Sequence, residues 1–174
     1  APDGRTPDPH RLERLFRLLQ RRGFERIFFG NFPSEVRPES VTAEVMRLLR
    51  DHVSNRRVVV GLQSGSDAAL RRIRRGHTVD QGVAAVARIA EAGFIPAVDF
   101  IFGLPGETAE DRRLTRDLVR HLADTYDARI NSHVFTPLPG TPLADAPAGE
   151  VDPKTRRLVK YLVGRGNAAG HDVG

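Results

Sequence analysis

The 174-residue chain contains no cysteine, no tryptophan and a single methionine. Without cysteine there can be no disulfide and no thiolate metal site within it. Only two tyrosines accompany the nine phenylalanines, so the aromatic interleaving that stacks nucleic-acid bases is absent. No apolar run approaches the roughly 20 residues of a membrane span. The opening residues, "APDGRTPDPH", are polar and proline-rich and read as no signal peptide. A cytoplasmic location, with no membrane partner, is the expectation. The chain starts at Ala1 rather than Met, which points to a piece of a longer protein.

Lysine is almost absent too: Lys154 and Lys160 are the only two, so nearly all of the 27 Lys+Arg are arginine. They face 22 Asp+Glu, for a net charge of +5. A phosphate-bearing partner is one reading of that balance. Because the arginines are spread along helices, ordinary solvated faces are the simpler one. At 40% hydrophobic and 28% charged, the chain is long enough to bury one real core.

Hydrophobic spacing alternates between two periods. Leu12, Leu15, Phe16 and Leu19 mark one helix face, and Gly23 stops it. "ERIFFG" (25–30) reads as a short buried strand. Val41, Val45, Leu48 and Leu49 mark a second helix, and "RVVVGLQ" (57–63) a β-branched strand. Ser66 is an N-cap for a short helix ending near Gly76, and Thr78 with Gln81 forms a capping box for the next. "IPAVDFIFG" (95–103) and "ARINSHVF" (128–135) are two more strands, with a helix through Leu114, Leu118 and Leu122 between them. A last helix carries Leu158, Tyr161 and Leu162, and "GRGNAAGHDVG" reads as a frayed tail.

Apolar strands alternating with helices predict an α/β fold with a parallel sheet, either doubly covered or closed as a barrel. Right-handed crossovers then place every strand C-terminus on one rim, where ligands bind. Four segments lie at that rim: "GNFPSEVRPES", "GLQSGSD", "DFIFGLPGET" and "NSHVFTPLPGTP". Gln63, Ser64 and Ser66 offer amide and hydroxyl groups. Asp99 sits inside an apolar strand, where a carboxylate needs a partner: a ligand, a neighbouring strand end, a backbone N–H or an arginine. Gly103 and Gly106 allow close backbone approach to a ligand or serve turn chemistry alone. Phosphate-loop, dinucleotide and zincin motifs are absent, and the six histidines show no metal-ligand spacing. Only His77 and His133 are placed to reach the rim.

"VGLQSGSDAALRRIRRGHT", "GFIPAVDFIFGLPGETAED" and "FTPLPGTPL", in that order, resemble the second half of the core of radical S-adenosylmethionine (SAM) enzymes. The likeness spans roughly residues 25 to 142. It is greatest to methylthiotransferases and to proteins with a cobalamin-binding domain ahead of the radical SAM domain, the latter through "FFGNFPSEVRPESV". The resemblance implies about four βα units of a TIM-like (β/α)6 barrel over residues 1–150, followed by a terminal helix and flexible tail over 151–174. It implies SAM and a [4Fe–4S] cluster, with cobalamin in a separate domain in the second branch. It also implies a transferase reaction, methyl or methylthio transfer, through a 5′-deoxyadenosyl radical, on a small-molecule or RNA substrate. The cluster's CxxxCxxC loop is not in this chain, so its ligands would lie in the missing N-terminal part of the same protein.

Carried over residue by residue, the resemblance assigns SAM contacts to Gln63, Ser64, Ser66, Asp99, Ile101, Gly103, Gly106 and Phe135. Leu138 is an adenine neighbour in the same scheme. Asn31, Ser34, Glu35 and Arg37 would face substrate or the SAM carboxylate, with Arg37 pairing the carboxylate or, alternatively, Glu35 or Glu39. Glu107 stands one residue beyond the family spacing. Two rival readings are a cluster-free α/β module for a nucleotide-like ligand or protein partner, and RNA binding by Arg71, Arg72, Arg74 and Arg75. A solvated helix face is the simpler account of those four arginines.

Overall fold

The computed structural model describes residues 6–31 and 34–169. Helix α1 (Pro9–Arg21) is capped by Asp8, whose carboxylate accepts from the Arg11 N–H, and carries a proline in its first turn, where no N–H is needed. Helix α2 (Ala43–His52) follows, capped by Thr42. Strand β1 (Arg57–Gln63) leads into α3 (Asp67–Arg72), capped by Ser66. Helix α4 (Val79–Glu91) opens on the expected Thr78/Gln81 capping box. Strand β2 (Ile95–Phe102), helix α5 (Ala109–Tyr126), strand β3 (Arg129–Val134) and helix α6 (Pro153–Gly164) complete the alternation. A two-residue strand β4 (Ala168–Ala169) ends it.

The sheet runs β1-β2-β3-β4 and every pairing is parallel. Strand residues alternate between its faces. Val58, Val60, Leu62, Val98, Phe100, Phe102 and Ile130 are buried in one continuous core with the apolar faces of α2, α4, α5 and α6. On the opposite face stand Val59, Gly61, Asp99, Ile101, Asn131 and His133, in register across the strands. One apolar face under helices and one open face is the shape of a partial (β/α) barrel, the fold expected above.

Two local expectations are corrected. Residues 25–30 form no strand. They run beside β1 with the Val59 N–H donating to the Gly30 carbonyl at 2.8 Å, and Val36 bridges Val60. Asn55 takes the polar groups of Phe29 that a ladder would use: its Nδ2 donates to the Phe29 carbonyl at 2.7 Å and its Oδ1 accepts from the Phe29 N–H at 3.0 Å. These contacts also cover part of the β1 edge.

The segment after α6, read as frayed, is tied down as far as Ala169. The Ile130 N–H donates to the Asn167 carbonyl at 2.7 Å, Asn167 Nδ2 donates to Asp127, and Ala168 pairs with Ile130. The remaining tail, 170–174, lies outside the described residues. No helix among those described is long and apolar enough to cross a membrane.

Candidate functional site

At the C-terminal end of β1 the backbone departs from a regular strand. The register with β2 slips between Gly61 and Gln63, and Gln63 adopts a φ of 71°. A left-handed conformation is unusual for a residue with a side chain and often marks a functional position. Gly61 is what makes the space. A Cβ there would lie 2.6 Å from Gln63 Nε2, 2.7 Å from Arg75 Nη2 and 2.9 Å from Glu35 Cγ. Three polar side chains thus converge over one glycine.

Arg75 reaches this point because α3 ends at Arg72 and Arg74 turns the chain with a φ of 57°. Its Nη2 donates to the Gly61 carbonyl at 3.1 Å, while its buried Nε has no partner. Burial lowers the Arg75 pKa, and the neighbouring Glu35 carboxylate opposes that shift.

The adjoining strands add a second polar group. Asn131 Nδ2 donates to Asp99 Oδ1 at 2.7 Å, and His133 Nε2 stands 3.9 Å from the same oxygen. Burial raises the Asp99 pKa, against the opposing effects of Asn131 and His133. Of the partners considered for this in-strand carboxylate, it is the neighbouring strand that supplies one, through the Asn131 side-chain amide, and not a backbone N–H or an arginine.

A cavity of about 650 Å³ opens beside these groups. Gln63, Glu35, Arg75, Asp99 and His133 form its polar side, and Ile73, Ile101, Leu104, Phe135, Leu138 and Leu143 its apolar side. Arg72 and Arg74 also line it, so the basic run 71–75 is no simple solvated helix face. Arg72, Arg74, Arg75, Leu104 and His133 are cavity residues without a role in the motif-based assignment. No sequence signal announces Arg75, whose place over β1 depends on the left-handed turn at Arg74.

Ser64 and Ser66 do not line the cavity. Ser64 Oγ lies 3.2 Å from Thr115 Oγ1, and Ser66 Oγ donates to Asp111 Oδ1 while accepting from the Ala69 N–H. Both hydroxyls are buried in the joint between α3 and α5. Burial pushes the Asp111 pKa up, but bonds from Ser66, from the Thr108 N–H and hydroxyl and from Arg72 outweigh it and hold the carboxyl at about 2.

Gly103 and Gly106 carry φ values of 73° and 69°. Gly103 packs so closely on residues 149–150 that a Cβ would sit 2.7 Å from the Glu150 nitrogen, and Gly106 faces Arg72. Behind this turn Glu107 Oε1 is buried without a partner. Burial pushes its pKa up to about 7, despite Arg112 and the Gly103 N–H. His77 is buried with its Nε2 3.2 Å from the Leu62 carbonyl and does not reach the cavity.

Asn31, Ser34 and Arg37 line a separate cavity of about 840 Å³ beside α1 and α2, and Glu35 borders both. Arg37 Nε lies 2.7 Å from Glu39 Oε1, the alternative pairing considered for it. Among the described residues no group of three His, Cys, Asp or Glu could hold a metal ion.

A family model described as the Radical SAM superfamily matches residues 2–119. An uncharacterized protein of Methanopyrus kandleri is 30% identical over 149 residues, 84% of this chain and 28% of that protein. The tRNA-2-methylthio-N(6)-dimethylallyladenosine synthase of Hydrogenovibrio crunogenus is 34% identical over 163 residues, 90% of this chain and 32% of the synthase. The chain thus spans about a third or less of these curated relatives. Among solved structures, coproporphyrinogen III oxidase HemN of Escherichia coli, a radical SAM enzyme, superposes with a TM-score of 0.66. It is 24% identical, and the match covers 92% of this chain and 39% of HemN. The radical SAM methyltransferase TsrM of Kitasatospora setae, solved with cobalamin and a [4Fe–4S] cluster, gives 0.57 at 23% identity, over 76% of this chain and 26% of TsrM. Both likenesses concern the fold.

Proposed function

The chain belongs to the radical SAM superfamily, and from that membership we propose that the rim cavity holds S-adenosylmethionine, in the service of methyl or methylthio transfer by the whole protein. The observation that carries this reading is the convergence of Gln63, Glu35 and Arg75 over Gly61. It supports an assignment for each part of the molecule. The methionine carboxylate lies on Arg75, whose Nε is an unused buried donor. The methionine ammonium lies near Glu35. The ribose hydroxyls meet Gln63 and Asp99, and adenine packs on Ile101, Leu104 and Phe135. A cavity of about 650 Å³ falls inside the range of small-molecule and cofactor sites. Ser64, Ser66, Gly103 and Gly106 then act behind this site, holding the turns in place, and Arg37 is replaced by Arg75 as the carboxylate partner.

The residues present do not fit a [4Fe–4S] cluster, which needs thiolates that a chain without cysteine lacks. This chain's share of the chemistry is to bind, orient and shield the cofactor. The relatives named tRNA-2-methylthio-N(6)-dimethylallyladenosine synthase support the transfer reading.

The test uses the full-length protein and isothermal titration with SAM and S-adenosylhomocysteine. Arg75→Ala should weaken binding of both by about tenfold or more, the loss of one charge-assisted contact. Arg37→Ala should leave it unchanged. Equal affinities for wild type and Arg75→Ala would sink the assignment. SAM binding without 5′-deoxyadenosine formation under anaerobic reducing conditions would favour the cluster-free module instead.

A further inference from the structure

The second feature of interest lies on α5 and α6 and shares no residue with the rim cavity. Helix α6 (Pro153–Gly164) contains no acidic residue, yet carries Lys154, Arg156, Arg157 and Lys160. The only two lysines of the chain are among them. All four are exposed, and among the described residues none forms an ion pair. Some exposed arginines elsewhere are matched along their own helices, as Arg17 is by Glu13 and Arg113 by Glu110, while others, such as Arg14 and Arg47, form no ion pair among the described residues.

Between α5 and α6 runs a groove of about 660 Å³. Its walls hold Arg113, Arg116, Arg120, Lys154, Arg157 and Arg165 against only two carboxylates, Asp117 and Asp124. Tyr161 is 58% exposed at its edge. The Arg165 guanidinium lies over one face of the ring, 5.6 Å from its centroid. Arg113, Arg116, Arg120 and Arg165 are held by Glu110, Asp117, Asp152 and Asp124, which leaves Lys154 and Arg157 as the groove cations without an ion-pair partner among the described residues. Such free cations suit a polyanion that releases its counterions on binding. A tyrosine beside them offers the π-face on which an unpaired base stacks. The groove is concave, with cations on both walls, which fits a strand rather than a planar lipid surface.

We infer that the α5/α6 groove binds the phosphate backbone of a single-stranded nucleic acid, with Lys154 and Arg157 as phosphate partners and Tyr161 as a stacking platform. The inference is independent of what the rim cavity holds.

It is tested on the full-length protein by fluorescence anisotropy with labelled single-stranded RNA and DNA of about 20 nucleotides. Salt is varied between about 50 and 200 mM. Lys154→Glu with Arg157→Glu should weaken binding at least about tenfold and flatten the log–log salt slope by about 1.4, at ~0.7 per lost phosphate contact. Tyr161→Ala should weaken it about fivefold or more without changing the slope, the loss of one stacked base. Arg14→Glu, on exposed α1, should change nothing. Far-UV circular dichroism and SAM titration confirm that each variant is folded. Binding of RNA or DNA that follows this pattern sustains the proposal, whichever strand is preferred. Undiminished binding by the Lys154/Arg157 variant overturns it, as does binding to phosphatidylserine vesicles with no binding to either strand.

Discussion

The two faces of the sheet are built from the same strands, one residue apart, and they follow opposite rules. Phe100, on the helix side, is fully buried among carbons. Asp99, its neighbour, lies on the other side with Asn131 and His133. The helix side is apolar except for Ser132, opposite Phe100, whereas the open side mixes small, polar and charged residues. The core lies on one face and the candidate site on the other, so a change of parity along a strand moves a side chain from core to cavity.

The largest effect should come from breaking the apolar face. Phe100→Ala removes a ring that is 0% exposed and should cost about 3–5 kcal/mol. Asp99→Asn should change stability by less than about 1 kcal/mol, because it replaces a carboxyl that burial already disfavours in its charged form. Urea unfolding of the two variants reads the contrast directly. Comparable losses would show that the open face also holds the fold together.

Ser66 sits where core and rim meet, in a rim motif yet turned into the α3/α5 joint. Ser66→Ala removes the α3 cap and one partner of Asp111, and should cost about 2 kcal/mol. The sign with pH follows from the depressed Asp111 pKa. The contribution is complete above the ordinary 3.8 and is lost as pH falls through about 2. Denaturant midpoints of wild type and variant should therefore be furthest apart near neutral pH and draw together in acid. A SAM affinity that falls while the midpoint stays fixed would move Ser66 back into the cofactor site.

Most of the architecture was legible because period and punctuation agree. β-Branched runs gave β1 and β2, and the Thr78/Gln81 box gave the start of α4. Strand β4 was not legible, since two alanines carry no strand signal and only the backbone of Asn167 and Ala168 places them beside β3. Residues 25–30 misled because their composition is that of a strand, while a distant side chain, Asn55, satisfies the backbone. In the cavity, Gln63, Asp99, Ile101 and Phe135 were within reach of the sequence because they lie in the C-terminal halves of predicted strands or just past them. Arg75 could not, because its position over Gly61 depends on a left-handed residue at Arg74 that no residue type announces. Ser64 and Ser66 looked ligand-facing for the converse reason: a small hydroxyl residue in a turn serves a ligand or a neighbouring helix with the same chemistry.

The smallest effect concerns the turn that links the two faces. Glu107 follows β2, half-buried with a buried, unpartnered Oε1, and burial pushes its pKa up to about 7. A raised carboxyl pKa means that the folded state holds its proton more tightly than the unfolded chain. The native state is then favoured below the ordinary value of 4.5, and that advantage is lost as pH rises through about 7. Glu107→Gln keeps the shape of the protonated acid and cannot ionise. Its melting temperature should match wild type near pH 4.5 and exceed it by a few degrees at pH 8, where wild type must bury a charge. Equal melting temperatures at both pH values would mean that the ionised carboxylate finds water or an arginine at no cost. The turn would then belong with the open face rather than with the core.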